Sequence, residues 1–147
     1  MTTFALAIRL KIPDNEAFTA LATLQRLGIA LTRLERADIW VLQSEAAQAD
    51  VLRTLKHNET LFNPNKHELT VLEAERPRPG EVWIGELGED PGLNARLGGK
   101  MIPGAHSAKR FVGWRLLGDN DAPVETAVAR AAAEALLCNP AIERVLS

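Results

Sequence analysis

The chain has 147 residues, 17 Lys+Arg against 19 Asp+Glu, a formal net charge of -2 and an apolar content of 46%. This balance argues against a dedicated nucleic-acid binder, which needs clustered excess cations, and against a disordered tail. No apolar run reaches the roughly 18 residues of a membrane span. The N-terminus, Met1-Thr2-Thr3-Phe4, lacks the basic start and long apolar stretch of a secretory signal. A single cysteine, Cys138, excludes an internal disulfide and a multi-cysteine metal site. The expected class is a soluble, cytoplasmic α+β protein.

Phe4, Leu6, Ile8 and Leu10 alternate along Thr3–Lys11, the period of a strand with one buried face. Pro13-Asp14 ends it, and the Asp14 carboxylate suits the N-cap of a helix carrying Phe18, Leu21, Leu24 and Leu27, with Gly28 at the C′ position. Ala30–Glu35 and Asp38–Gln43 read as a second and a third strand. Ser44 is placed to cap a second helix through Val51, Leu52 and Leu55, and His67–Leu72 closes the segment as a strand. The resulting order, βαββαβ, is that of a ferredoxin-like fold.

Glu75–Gly80, with two prolines and a glycine, reads as a linker. A strand follows over Glu81–Leu87. Residues 88–106 form a long glycine-rich loop, Phe111–Leu117 is again strand-like, and Asp121 and Pro123 open a helix over Val124–Leu137. That helix is expected to bury Val124, Val128, Ala131, Ala135 and Leu136. Ile142–Leu146 is the last strand. Two helix ends compare closely. Leu61-Phe62-Asn63-Pro64 precedes Glu68-Leu69, and Leu137-Cys138-Asn139-Pro140 precedes Glu143-Arg144-Val145, with Asn63 and Asn139 76 residues apart. The agreement in element order favours a duplication over coincidence, although Asn-Pro is a common helix stop.

Ala133-Glu134-Ala135-Leu136-Leu137-Cys138-Asn139-Pro140-Ala141-Ile142-Glu143 resembles the C-terminal helix and strand of PurS, the small subunit of phosphoribosylformylglycinamidine synthase, whose members end in Leu-Leu-x-Asn-Pro-x-Ile-Glu. Leu61-Phe62-Asn63-Pro64 is similar to the same motif, and the first strand, helix and Leu27-Gly28 turn are similar to the family's first half. Ile12-Pro13-Asp14-Asn15-Glu16 stands where the family has Leu-Asp-Pro-Gln-Gly, and the glycine-rich loop stands where a second copy would carry its first helix. PurS chains are about half this length. The resemblance therefore implies two fused units related by a pseudo-two-fold: PurS-like unit 1 at 1–75, linker at 76–80, and a diverged unit 2 at 81–147 with antiparallel sheets. It also implies a non-catalytic subunit of purine biosynthesis that bridges synthetase and glutaminase subunits, or self-associates, with no cofactor.

The residues themselves carry no phosphate loop, dinucleotide fingerprint or nucleophile elbow. His57, His67 and His106 show no metal-ligand spacing, and no metal site is expected. Cys138 reads as a small buried hydrophobe, and Trp40, Trp83 and Trp114 read as packing residues. The candidate binding residues are Arg96, Lys100, His106, Lys109 and Arg110, cations set among five glycines, where backbone N–H groups and charge together suit a phosphate, a carboxylate or an acidic partner. The alternative function is thus a ferredoxin-like regulatory domain that binds a small anion through this loop. Neither reading involves nucleic acid or a membrane.

Overall fold

A computed structural model describes residues 2–57, 62–86, 96–97, 100–101, 105–141 and 143–147. The class is α+β. The strands are β1 (Thr2–Leu10), β2 (Arg33–Ser44), β3 (His67–Val71), β4 (Glu81–Glu86), β5 (Arg96–Leu97), β6 (Lys100–Met101), β7 (Ala105–Leu117) and β8 (Glu143–Leu146). The helices are α1 (Asn15–Arg26), α2 (Gln48–Lys56) and α3 (Thr126–Ala132). Six strands form a sheet in the order β3-β1-β2-β7-β4-β8, and β5 pairs with β6 alone. Among the described residues no helix is long and apolar enough to cross a membrane.

Two compact units are drawn from alternating stretches of chain. Unit 1 comprises Met1–Ile12, Asp38–Glu75 and Gly88–Arg110, and unit 2 comprises Pro13–Ala37, Arg76–Leu87 and Phe111–Ser147. In unit 1, β1 lies antiparallel to both β3 and β2, with Leu6 opposite Trp40 and Ala7 opposite Thr70. Phe4, Leu6, Ile8, Trp40 and Leu42 pack with Val51 and Leu55 of α2 and with Phe62. Each such fully buried aliphatic side chain is worth about 1.5–3 kcal/mol over an exposed one. In unit 2, Ala17 and Leu24 of α1 and Ala129, Ala132 and Ala133 pack on Val82, Ile84, Trp114 and Leu116.

Local chemistry explains the ends of the elements. Asp14 caps α1, its Oδ1 accepting from the N–H groups of Glu16 and Ala17 at 3.0 and 3.2 Å. Gly28 takes a left-handed φ of 88° just past that helix. Gly80 ends the linker at φ 75°, where a Cβ would lie 2.8 Å from the carbonyl oxygen of Leu116. The boundary between the compact units passes through the linker, between Glu75 and Arg76.

Several expectations are corrected. The second and third strands are one continuous strand, β2, so the first half runs β-α-β-α-β. Residues 35–38 contain no turn former; Ala37 is buried and Arg36 is anchored to Asp14 and Glu16, so the chain runs straight on. Ser44 Oγ accepts from the Ala46 N–H at 3.1 Å and caps the turn; α2 itself starts at Gln48 behind Ala47. Along α1 the buried positions are Ala17 and Leu24, while Phe18 is 74% exposed and Leu27 is exposed too.

Asp121 does not cap the last helix. Its φ is 57°, it belongs to a short 3-10 turn over Asp119–Asp121, and its carboxylate accepts from Arg33 at 3.2 Å. α3 begins only at Thr126 and continues over Ala133–Leu137 in π-helical geometry, closed by the Cys138 N–H on the Ala133 carbonyl at 3.0 Å. The late start and the wider last turn bury Ala129, Ala132 and Ala133 in place of the expected stripe. Ala131 and Ala135 face water, Val128 and Val124 are half-buried, and Leu136 is 41% exposed. Ile142 lies outside the described residues; the last strand covers Glu143–Leu146.

Candidate functional site

The five basic candidates do not form one loop. Arg96 and Lys100 belong to β5 and β6, where Arg96 faces Met101 and Leu97 faces Lys100 across the ladder. His106, Lys109 and Arg110 belong to β7. Of the loop at 88–106, the rest lies outside the described residues, as do the side chains of Arg96, Lys100 and His106. Lys109 and Arg110 are exposed neighbours on a strand, so their side chains point to opposite faces and do not converge. Arg110 donates to Asp38 Oδ1 at 2.9 Å.

The paired Asn-Pro motifs have the same local geometry. Asn63 Oδ1 accepts from the Asn65 N–H at 2.9 Å, and its carbonyl accepts from the His67 N–H at 2.7 Å. Asn139 Oδ1 accepts from the Ala141 N–H at 3.1 Å, and its carbonyl accepts from the Glu143 N–H at 2.8 Å. Pro64 and Pro140 follow each asparagine, and each turn delivers the chain into a strand, β3 or β8. The ladders agree with the turns. The 76 residues that separate the asparagines also carry the pair Ala7–Thr70 onto Trp83–Leu146. Leu6 opposite Trp40 becomes Val82 opposite Trp114. The strands containing these tryptophans share a spacing that the sequence reading missed: Arg36-x-x-x-Trp40-x-Leu42 and Arg110-x-x-x-Trp114-x-Leu116.

Within unit 2, the face of β4 turned away from Val82 and Ile84 is polar. Glu81 is buried. Its Oε1 accepts from the Arg78 N–H, Arg78 Nε and Trp83 Nε1 at 3.0, 3.2 and 3.0 Å, and its Oε2 accepts from Arg78 at 2.8 Å. Arg115 stands directly across the ladder from Glu81 and Gly113 directly across from Trp83. Trp83 and Phe111 pack at 5.5 Å between centroids, over Gly85, where a Cβ would come within 2.7 Å of the Phe111 ring. Arg144 lies across from Gly85 on β8. Arg115 NH1 is 3.9 Å from Glu35 Oε1, beyond hydrogen-bond reach, and Arg115 Nε is buried without an acceptor.

On the opposite face of that sheet, Arg36 is held by Asp14 at 3.0 Å and by Glu16, and its guanidinium lies 6.0 Å from the centre of the Trp114 ring. All three tryptophans are buried, as the sequence suggested. Cys138 is half-buried against the apolar cluster of unit 2; burial pushes its thiol pKa up, and the Glu143 carboxylate adds to that. Among the described residues no group of three His, Cys, Asp or Glu side chains is placed to hold a metal ion.

No protein-family model matches the chain, and no curated protein matches it.

Proposed function

We propose that the chain is a duplicated, PurS-like assembly subunit that acts without catalysis of its own, bridging the synthetase and glutaminase subunits of a phosphoribosylformylglycinamidine synthase so that ammonia passes between them without escaping to water. The two copies are β1-β2-α2-β3 and β4-β7-α3-β8, each following the plan of half a ferredoxin-like pair. The observation that carries the duplication is the single 76-residue offset that matches the Asn-Pro turns and the β1/β3 ladder to their counterparts in β4/β8. The PurS assignment itself draws on the Leu136-Leu137-Cys138-Asn139-Pro140-Ala141-Ile142-Glu143 motif. Under this reading the protein works in the cytoplasm, beside its partner subunits.

The alternative, an anion-binding regulatory domain served by the glycine-rich segment, has less support, since Lys109 and Arg110 point apart and Arg110 is paired with Asp38. Affinity purification of the tagged chain from native extract separates the two. Recovery of a synthetase or glutaminase subunit in fixed stoichiometry is expected. Recovery of neither, together with saturable binding of a small anion, would replace the assembly reading by the alternative.

A further inference from the structure

The match between the two ladders shows where the second copy departs from the first. In unit 1, Ala5 stands opposite Val41 and Ala7 opposite Ile39; Ala5, Ala7 and Ile39 are buried. The corresponding pairs in unit 2 are Glu81 opposite Arg115 and Trp83 opposite Gly113. Small apolar pairs on one face have thus been exchanged for a carboxylate, a guanidinium, an indole and a bare backbone. Polar groups placed at buried positions are costly unless fully hydrogen-bonded.

Glu81 meets that condition and Arg115 does not. The Glu81 oxygens are taken by Arg78 and Trp83, so the carboxylate directly across the ladder does not serve Arg115. Glu35 is the carboxylate nearest to it, at 3.9 Å, and it also takes Arg33 at 3.4 Å. Arg115 Nε–H is out of water with no acceptor, while 31% of the side chain remains accessible. A guanidinium presents its donors as a rigid planar fork that fits two oxygens of one oxyanion. The same strands bring Arg78 beside Glu81 and Arg144 across from Gly85, so guanidinium groups outnumber carboxylates on this face of β4, β7 and β8.

We infer that Arg115 is the anchor of an oxyanion site on this face of unit 2, taking a carboxylate or phosphate group of a small ligand. The inference does not depend on the assembly reading, because it rests on the contrast between matching positions and on the unsatisfied guanidinium.

The first copy supplies the control. Arg115→Val restores the residue found at the matching position, Val41, and should leave the fold intact. Inorganic phosphate and acetate, titrated separately into the full chain and followed by backbone amide shifts, probe the two oxyanion classes. Saturable binding of at least one is expected, with shifts at Arg115 and the adjacent β4 amides. Affinity should fall at least tenfold in Arg115→Val and rise in Glu35→Gln, which removes the competing carboxylate. No saturation by either probe, or equal affinity in wild type and Arg115→Val with both folded by circular dichroism, would overturn the assignment. Unchanged binding in Glu35→Gln would also count against it.

Discussion

The N–H of Asn63 donates to Nδ1 of His67 at 2.9 Å, and 76 residues later the N–H of Asn139 donates to Oε1 of Glu143 at 2.8 Å. In both turns the side chain four residues on closes a ring around the asparagine, although one is an imidazole and the other a carboxylate. What the two turns share is the position of an acceptor, which fixes the entry into an edge strand. Truncation at either asparagine removes a side-chain bond to the second residue after it. Asn63→Ala and Asn139→Ala should each cost about 0.5–1.5 kcal/mol, measured by urea unfolding. A cost at one turn with none at the other would mean that the turns are not equivalent.

Arg36 and Arg110 occupy the same place in the two Arg-x-x-x-Trp-x-Leu segments but should contribute unequally. Arg36 joins two carboxylates in a partly buried setting, with a side chain 28% exposed, and overlies Trp114. Arg36→Ala should destabilise by about 1.5–3 kcal/mol. The Arg110–Asp38 pair lies in water, with the two side chains 47% and 49% exposed. Arg110→Ala should cost about 0–1 kcal/mol, and added salt should erase most of that. Chemical denaturation at low and high ionic strength measures both.

Glu81 is the most consequential single carboxylate in unit 2. Glu81→Ala would leave the Arg78 fork and the buried Trp83 Nε1 without their acceptor. Loss of one partner from a buried pair costs about 3–5 kcal/mol. Glu81→Leu removes the same acceptor, so it should be nearly as harmful unless Arg78 is replaced with it. Thermal unfolding of the single and double variants measures the coupling directly.

Cys138 should alkylate slowly. Desolvation raises its thiol pKa above the ordinary value and the Glu143 carboxylate raises it further, so less thiolate is present at a given pH. The pH profile of iodoacetamide labelling should lie above that of a free cysteine peptide. Glu143→Gln, which keeps an acceptor for Asn139, should move the profile part of the way back. A profile at or below that of the peptide would contradict the assigned environment.

Much of this was legible in the sequence where a residue type has one dominant local use. Asp14 before an amphipathic run, Gly28 after it and the Asn-Pro stops each mark a boundary through backbone chemistry alone. The join of two expected strands into β2 was not legible, because strand continuity at Arg36 depends on Asp14 and Glu16, distant in sequence. The buried face of the last helix was misjudged because the π-helical turn at Ala133–Leu137 shifts the register, which a 3.6-residue period does not reveal. The polar face around Glu81 and Arg115 was missed as well. Its signal was present: aligning Trp40 with Trp114 sets Val41 against Arg115, an exchange that periodicity ignores because both positions alternate correctly.

The assembly role is tested most directly by reconstitution. Purified chain is mixed with the synthetase and glutaminase subunits of the phosphoribosylformylglycinamidine synthase from the same source, and glutamine-dependent and ammonia-dependent turnover are compared with and without it. The account predicts that the three proteins co-elute and that glutamine-dependent turnover requires the chain, while ammonia-dependent turnover by the synthetase does not. Full glutamine-dependent turnover in its absence, with no co-elution, would contradict it.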